Sequence, residues 1–337
     1  MQNPTRVRIA TRRSPLALAQ TRWVAARIRA HRPDVEVEEV AVSTKGDRVT
    51  DKPLATIGGK ALFVGEVEAA LVEGRADLAV HSMKDVPTDE DLADGHDIVC
   101  VPEREDPRDA LVSPEGIELS ELSRGVTVGT SSLRRSCQLH AARPDLRFAV
   151  CRGNVGTRLS KMDRGDYAAI VLAFSGLKRL GLDGERALWP IPPETSIPAV
   201  GQGALGIEGK VDDEDLRALL GPLEHGPTRL AVEAERAYLG RLQGSCTTPI
   251  AAFARFDDDG ETRMRMEGMV GSVDGQTVLS ASIDGYVDAP DHAARLQQAV
   301  RMGVELAEMQ LDRGAAEIIH RAKTAADPYV MGPYRER

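Results

Sequence analysis

The stretch Asp77-Leu78-Ala79-Val80-His81-Ser82-Met83-Lys84-Asp85-Val86-Pro87 constrains this chain more than any other. An apolar run this short, closed by charged residues and a proline, reads as a buried strand emptying into a loop. Asp85 then stands at a strand mouth. In open α/β sheets ligands bind in the crevice beyond the carboxyl ends of the strands, so the pair Lys84-Asp85 is placed for chemistry. On pattern alone the same pair also reads as a solvated loop or a local ion pair.

The flanking sequence repeats one design. Val7 to Ala10 reads as a strand, and Thr11-Arg12-Arg13-Ser14-Pro15 opens a helix to about Arg32, with Ser14 as N-cap and Pro15 at the first helical position. Such a helix start can hold an anion between Arg12 and Ser14. Val35 to Val42 alternates as a second strand. A loop-like stretch follows, ending in Gly58-Gly59-Lys60-Ala61-Leu62-Phe63, which suits either a lid or simple turn chemistry before a helix. After Ile98 to Val101, the charge-dense run Glu103 to Asp109 reads as a domain crossover.

Beyond it the design returns. Thr127-Val128-Gly129 is a strand, Thr130-Ser131-Ser132 a cap region, and Leu133-Arg134-Arg135 the first turn of a helix to about Arg143. Cations there oppose the helix dipole by a few tenths of a kcal/mol each unless an anion docks, which marks Arg134 and Arg135 as functional. Cys151-Arg152-Gly153-Asn154-Val155-Gly156-Thr157-Arg158 repeats the turn after a strand from Leu146 to Val150. Ala168 to Leu172 is another buried strand, and a short helix holds Lys178 and Arg179. Pro190, Pro192, Pro193 and Pro198 read as a loop, and Val200 to Glu208, including Gln202, as a strand returning to a discontinuous first domain. From Pro227 an amphipathic helix leads into Gly244-Ser245-Cys246-Thr247-Thr248-Pro249. Strands Ile250–Phe256, Thr262–Val270 and Val278–Gly285, then a helix Ala293–Arg313, read as a small antiparallel α+β domain.

Bulk properties narrow the function. With 337 residues, two or three domains are expected. No run of about 18 apolar residues occurs, and the N-terminus shows no apolar segment before a small-residue cleavage site, so the expectation is a soluble, cytoplasmic protein with no membrane partner. The formal net charge of -9 argues against nonspecific nucleic-acid binding. Only eight of the 43 basic residues are Lys, so the local cation clusters are Arg forks suited to carboxylates or phosphates. Four scattered cysteines show no Cys-x-x-Cys, and no metal site is indicated. Cys246, in a Gly- and Pro-flanked loop, is either inert filler or an attachment point for a covalent group. A non-enzymatic receptor for small carboxylates or phosphates is the competing class; a phosphoryl-transfer enzyme lacks its Gly-x-x-x-x-Gly-Lys-Ser/Thr loop.

Seven ordered motifs, Ile9 to Ala17, Asp77 to Pro87, Glu103 to Asp109, Val128 to Arg135, Arg152 to Arg158, Pro198 to Ala204 and Gly244 to Ile250, resemble those of the porphobilinogen deaminase family over nearly the whole chain. The resemblance implies an α/β fold of two periplasmic-binding-protein-like lobes with mixed sheets plus a smaller α+β C-terminal domain. Its boundaries would be 1–102 with 200–222, then 103–199, then 223–337. It implies a transferase that deaminates porphobilinogen and condenses four units head to tail on a dipyrromethane cofactor, releasing hydroxymethylbilane, and acts as a monomer. The cofactor would be a thioether on Cys246. Asp85 matches the catalytic aspartate, serving as acid at the aminomethyl group and then as negative partner of the cation left behind. Lys84, Ser132, Arg134, Arg135, Arg158, Asp47 and Thr130 match cofactor-binding positions. Arg12, Ser14, Arg152, Arg179, Phe63, Gln202 and Lys60 match substrate-binding ones, the arginines meeting acetate and propionate groups. Ser245 and Thr56 depart from common family residues, Gly and Lys respectively.

Overall fold

Strand residues of one parity face one helix layer and those of the other parity face a second, and this alternation builds both five-stranded sheets of the protein. The computed structural model describes residues 5–43, 64–88, 92–244, 248–257 and 262–325. The chain runs β1 (Arg6–Arg12), α1 (Pro15–His31), β2 (Glu36–Val42), α2 (Gly65–Val72), β3 (Leu78–Ser82) and β4 (His96–Cys100). It continues through β5 (Asp109–Val112), β6 (Thr127–Gly129), α3 (Leu133–Ala142), β7 (Arg147–Ala149), α4 (Val155–Asp163), β8 (Ala169–Ala173), α5 (Phe174–Arg179) and β9 (Leu188–Ile191). There follow β10 (Leu205–Lys210), α6 (Glu214–Leu220), α7 (Gly226–Arg241), β11 (Ile250–Phe256), β12 (Arg263–Gly271), β13 (Val278–Tyr286), α8 (His292–Leu311) and α9 (Ala315–Thr324).

The chain divides into two compact units, 1–105 with 203–229, and 106–202 with 230–337. In the first, the sheet order is β2-β1-β3-β10-β4. β1 is parallel to β2 and β3, while β10 is antiparallel to β3 and β4. Val7, Ile9, Leu78, Val80 and Ile207 pack with Val24, Ala25 and Ile28 of α1. Ala10 and Ala79, of opposite parity, pack with Val67, Ala70 and Leu71 of α2. Each fully buried Ile or Leu contributes roughly 1.5–3 kcal/mol, and strands covered on both faces read as the apolar runs seen in the sequence.

The second unit repeats this topology in the order β7-β6-β8-β5-β9, again with three parallel strands, one reversed strand beside them and an edge strand antiparallel to that one. Leu111, Val128, Phe148 and Val171 share one core with α3, and Ala110, Val112, Ile170 and Leu172 share another with α4 and α5. The same unit holds the three-stranded antiparallel sheet β11-β12-β13. Tyr238, Met266, Met302, Leu306 and Ile319 fill the core between this sheet and α7, α8 and α9. Val273 and Ala322 enter the core of the second five-stranded sheet. Glu235 ties the layers together, accepting from Gly201 N at 2.7 Å and from Ala254 N at 2.9 Å.

Several boundaries differ from the sequence expectation. The returning strand begins at Leu205 rather than Val200, because Gly201 (φ 68°) and Gly203 (φ 92°) adopt left-handed backbone that cannot continue a strand. Pro190 lies inside β9, not in a loop; β9 is the sheet edge, where a missing N–H costs no ladder bond. The expected helix Ala293–Arg313 is present as α8, and a further helix that the sequence reading did not include, α9, follows it after Gly314 at φ 91°. β5 emerges from what reads as crossover, since only Ala110, Leu111 and Val112 signal it.

Candidate active site

In the first unit the parallel register Ile9↔Leu78 and Ala10↔Ala79 brings the carboxyl ends of β1 and β3 side by side. Ser14 caps α1, its Oγ accepting from Ala17 N at 3.3 Å, and Pro15 supplies the preset first helical φ. Beyond β3 a single 3-10 turn, Met83–Asp85, buries Met83 and leaves Lys84 and Asp85 exposed. Gln20 of α1 donates from Nε2 to Ser82 Oγ at 2.8 Å, pinning the strand end to the helix. Arg12, Gln20, His81, Ser82 and Asp85 line one cavity of about 30 Å³, closed on its apolar side by Val64 and Val67. The cavity itself holds no more than a water or two, but it places one cation, Arg12, and one exposed carboxylate, Asp85, at the same strand mouth, where they can meet the carboxylate and the ammonium of a zwitterion bound outside it.

In the second unit the polar groups converge on Asp109. Its register partner Ala173 ends β8, so the start of antiparallel β5 lies at the carboxyl end of the parallel strands. Asp109 is fully buried. Arg134 donates to it from Nη1 at 2.8 Å and Nη2 at 3.0 Å, and Arg135 from Nε at 2.9 Å. Ser196 Oγ at 3.1 Å and Gln202 Nε2 at 2.9 Å complete its acceptor shell. Burial alone would push the Asp109 carboxyl up, but the charges and hydrogen bonds of Arg134 and Arg135 hold it well below the usual carboxylate range. Burial pulls the Arg134 guanidinium below its ordinary value.

The anion facing the first turn of α3 is therefore Asp109, an internal partner that the helix-dipole reading of Arg134 and Arg135 did not anticipate. Gln202 belongs to the same cluster, its Oε1 accepting from Arg135 Nη2 at 3.3 Å. Ser132 Oγ caps α3, accepting from Arg135 N at 3.4 Å, and buried Thr130 accepts from Ser132 N at 3.2 Å. Half-buried Arg152 and Arg158 flank Gly153, whose carbonyl accepts from Arg158 Nε at 2.7 Å. Gly153 adopts φ 111°, which turns the chain into α4 under the Asn154 cap. Arg179, half-buried, ends α5. Asp47, Lys60, Phe63 and Cys246 lie outside the described residues, as do Thr56 and Ser245.

Sequence reasoning missed Asp109, Ser196 and Gln20 as site-building residues, and the buried pair His81–Glu208, joined at 2.8 Å. Only Asp109 left a signal, a charge directly before an apolar run. Among the described residues no group of three or more His, Cys, Asp or Glu could hold a metal, and no helix is long and apolar enough to cross a membrane.

Two mixed sheets of one topology, each presenting cations and hydroxyls at the carboxyl ends of its parallel strands, define an α/β protein of two like sheets with Arg-bearing strand mouths suited to organic anions. Residues 7–218 match the family model of the porphobilinogen deaminase, dipyromethane cofactor binding domain, and residues 229–312 that of the porphobilinogen deaminase C-terminal domain. A porphobilinogen deaminase of Ralstonia nicotianae is 49% identical over 327 residues, 97% of this chain and 95% of that one. Among solved structures, the methionine-binding protein MetQ aligns with 65% of this chain and 89% of its own at 14% identity and a TM-score of 0.39. The periplasmic aliphatic sulphonate binding protein SsuA of Escherichia coli aligns with 71% of each chain at 13% identity and a TM-score of 0.37. At these scores the likenesses carry no weight beside the sheet topology. The chain belongs to the porphobilinogen deaminase family. It is a transferase that deaminates porphobilinogen, condenses four units on a dipyrromethane cofactor and releases hydroxymethylbilane in tetrapyrrole biosynthesis.

Proposed function

We propose that Asp85 is the catalytic residue of this reaction and that Cys246 carries the cofactor. The observation that carries the first assignment is the placement of exposed Asp85 beyond β3 in one cavity with Arg12. An aminomethyl group is protonated near neutrality and leaves as ammonia, and the departing bond leaves a cationic pyrrole. A carboxylate beside it holds the ammonium first and the cation afterwards, so its charge acts where positive charge develops. Arg12, with Ser14, takes a substrate carboxylate and orients the leaving group toward Asp85. Lys60, Phe63, Arg152, Arg179 and Gln202 are the further substrate-binding residues of this reading.

The donor set also fits a group bearing several carboxylates. Lys84, Arg158, Thr130 and Ser132, with Asp47, are the residues proposed to hold the cofactor, together with Arg134 and Arg135, whose forks Asp109 already orders. When bound, the dipyrromethane supplies the pyrrole carbon to which the first substrate unit is joined. Support for Cys246 as the thioether comes from the other cysteines: Cys100, Cys137 and Cys151 are all buried. Burial, followed by the charge of Asp274, pushes the Cys137 thiol up to about 12. Domains 1–102 with 200–222, 103–199 and 223–337 are the three domains of this reading, the first matching one compact unit closely and the other two lying together in the second unit, 106–202 with 230–337. The -9 charge counts against nucleic acid as a partner, and no helix among the described residues is long and apolar enough to cross a membrane; a cytoplasmic location and a monomeric state are part of this reading by family resemblance.

Intact mass and turnover test both assignments. Asp85→Asn should fold and carry the pyrrole adduct yet lose turnover by at least about 100-fold. Cys246→Ala should show the unmodified polypeptide mass after denaturation. Wild-type-like rates in the first, or a surviving adduct in the second, refute the respective role.

A further inference from the structure

Glu208 is fully buried in the middle of β10, and its Oε2 meets His81 Nε2 at 2.8 Å while Oε1 has no hydrogen-bond partner among the described residues. The register explains the contact. His81 stands opposite Gly206 and Glu208 opposite Ala79, so the two side chains are diagonal neighbours on the sheet face toward α2. Arg12 has the same parity on β1, and His81 and Arg12 both line the cavity that contains Asp85.

The second sheet provides an internal control. Aligning Ser82 with Ala173, each the last residue of its strand, places Leu172 at the position of His81 and Val112 at that of Glu208. Both are apolar and buried in the core shared with α4 and α5. The topology is thus satisfied by two aliphatic side chains at these positions. The unit holding Asp85 instead keeps a buried carboxylate with one unpartnered oxygen, an arrangement packing alone does not call for.

The reaction needs a second proton-handling group. When the new carbon–carbon bond forms, the attacked pyrrole α-carbon loses its hydrogen as a proton, while the incoming unit has already released its nitrogen as ammonia. Over the cycle that proton ends on ammonia, giving ammonium, so no other reactant is required. Between the two events it must be held. Asp85 can receive it from carbon, but must be ionised again before it can face the next cation.

We propose that His81, oriented by the buried carboxylate of Glu208, accepts this proton from Asp85 within their shared cavity and releases it before the next condensation. Imidazole is the side chain suited to take up and release a proton in a relay, and a carboxylate on one ring nitrogen fixes the ring's orientation toward the cavity. The cavity, about 30 Å³, has room for one or two water molecules to carry the proton. Glu208 is a positioning residue in this scheme. The inference rests on the assignment of Asp85 above.

His81→Gln, Glu208→Gln and the double variant His81→Leu/Glu208→Val, which copies the second sheet, test it. Each should carry the pyrrole adduct by intact mass. His81→Gln should lower kcat by about 100-fold with KM little changed, and Glu208→Gln by about tenfold. Both should show a larger solvent deuterium isotope effect on kcat than the parent, because proton transfer becomes limiting; a structural role would not move it. The aliphatic pair should fold as stably as the parent yet turn over no faster than His81→Gln. A kcat within about threefold of the parent in His81→Gln, or an unchanged isotope effect, overturns the proposal. Should the aliphatic pair fail to fold, the two Gln variants decide. Asp85→Asn run alongside separates the cases: if it remains active the site reading fails, and if it is inactive while His81→Gln is not, only the relay fails.

Discussion

Replacing Asp109 by Asn tests the electrostatic logic of the second unit. The buried carboxylate accepts from two guanidinium groups, a hydroxyl and an amide at 2.8 to 3.1 Å. The amide of Asn would remove the charge and point two N–H donors at groups that are themselves donors. Breaking a buried ion pair by removing one partner costs about 3–5 kcal/mol, and with Arg134 and Arg135 both stranded the upper end, about 5 kcal/mol, is expected. The pH dependence follows from the depressed Asp109 carboxyl. A folded value below the unfolded one gives stability that is fully present above about pH 4 and lost as pH falls through the folded value. The gap between parent and variant should therefore be flat from about pH 8 to 5 and narrow only in stronger acid. The chain has two tryptophans, Trp23 packed in the first unit and Trp189 against the core of the second. In a Trp23→Phe background, Trp189 emission during urea unfolding reports the second unit alone. A loss below about 1 kcal/mol, or a gap that widens in acid, would refute the reasoning.

Two further outcomes follow from geometry. A Cβ at Gly303 would stand 2.0 Å from the Ala234 carbonyl oxygen, so Gly303→Ala should force α8 off α7 and cost about 1–3 kcal/mol or more in the same urea assay, with the far-UV helix signal preserved. Arg12→Ala removes the cation proposed to take a substrate carboxylate; steady-state kinetics should show KM raised roughly tenfold or more, against a smaller change in kcat.

Much of this was legible because it is local. The strand carrying His81 and emptying toward Asp85 announces itself by an apolar run, and the Ser14, Ser132 and Asn154 caps by their place before helices. The repeated strand–turn–helix order already implied two α/β lobes. Arg134 and Arg135 show the limit: their position against the helix dipole reads as a place for a docking anion, whereas the anion the structure puts there is Asp109, on a strand two dozen residues earlier.

What the sequence determined alone was therefore the class of elements, their order, the family and the residue types available for carboxylate recognition, since caps, periodicity and motif spacing act over a few residues. The tertiary structure decided which of those residues meet. Asp109 becomes the counter-charge of two arginines because β5 runs antiparallel beside β8. Glu208 finds His81 because β10 returns to β3 after 127 residues of intervening sequence separation, in a register that puts both on one face. Sheet pairing across such distances is selected by the burial of whole faces, and no short window of sequence contains that information.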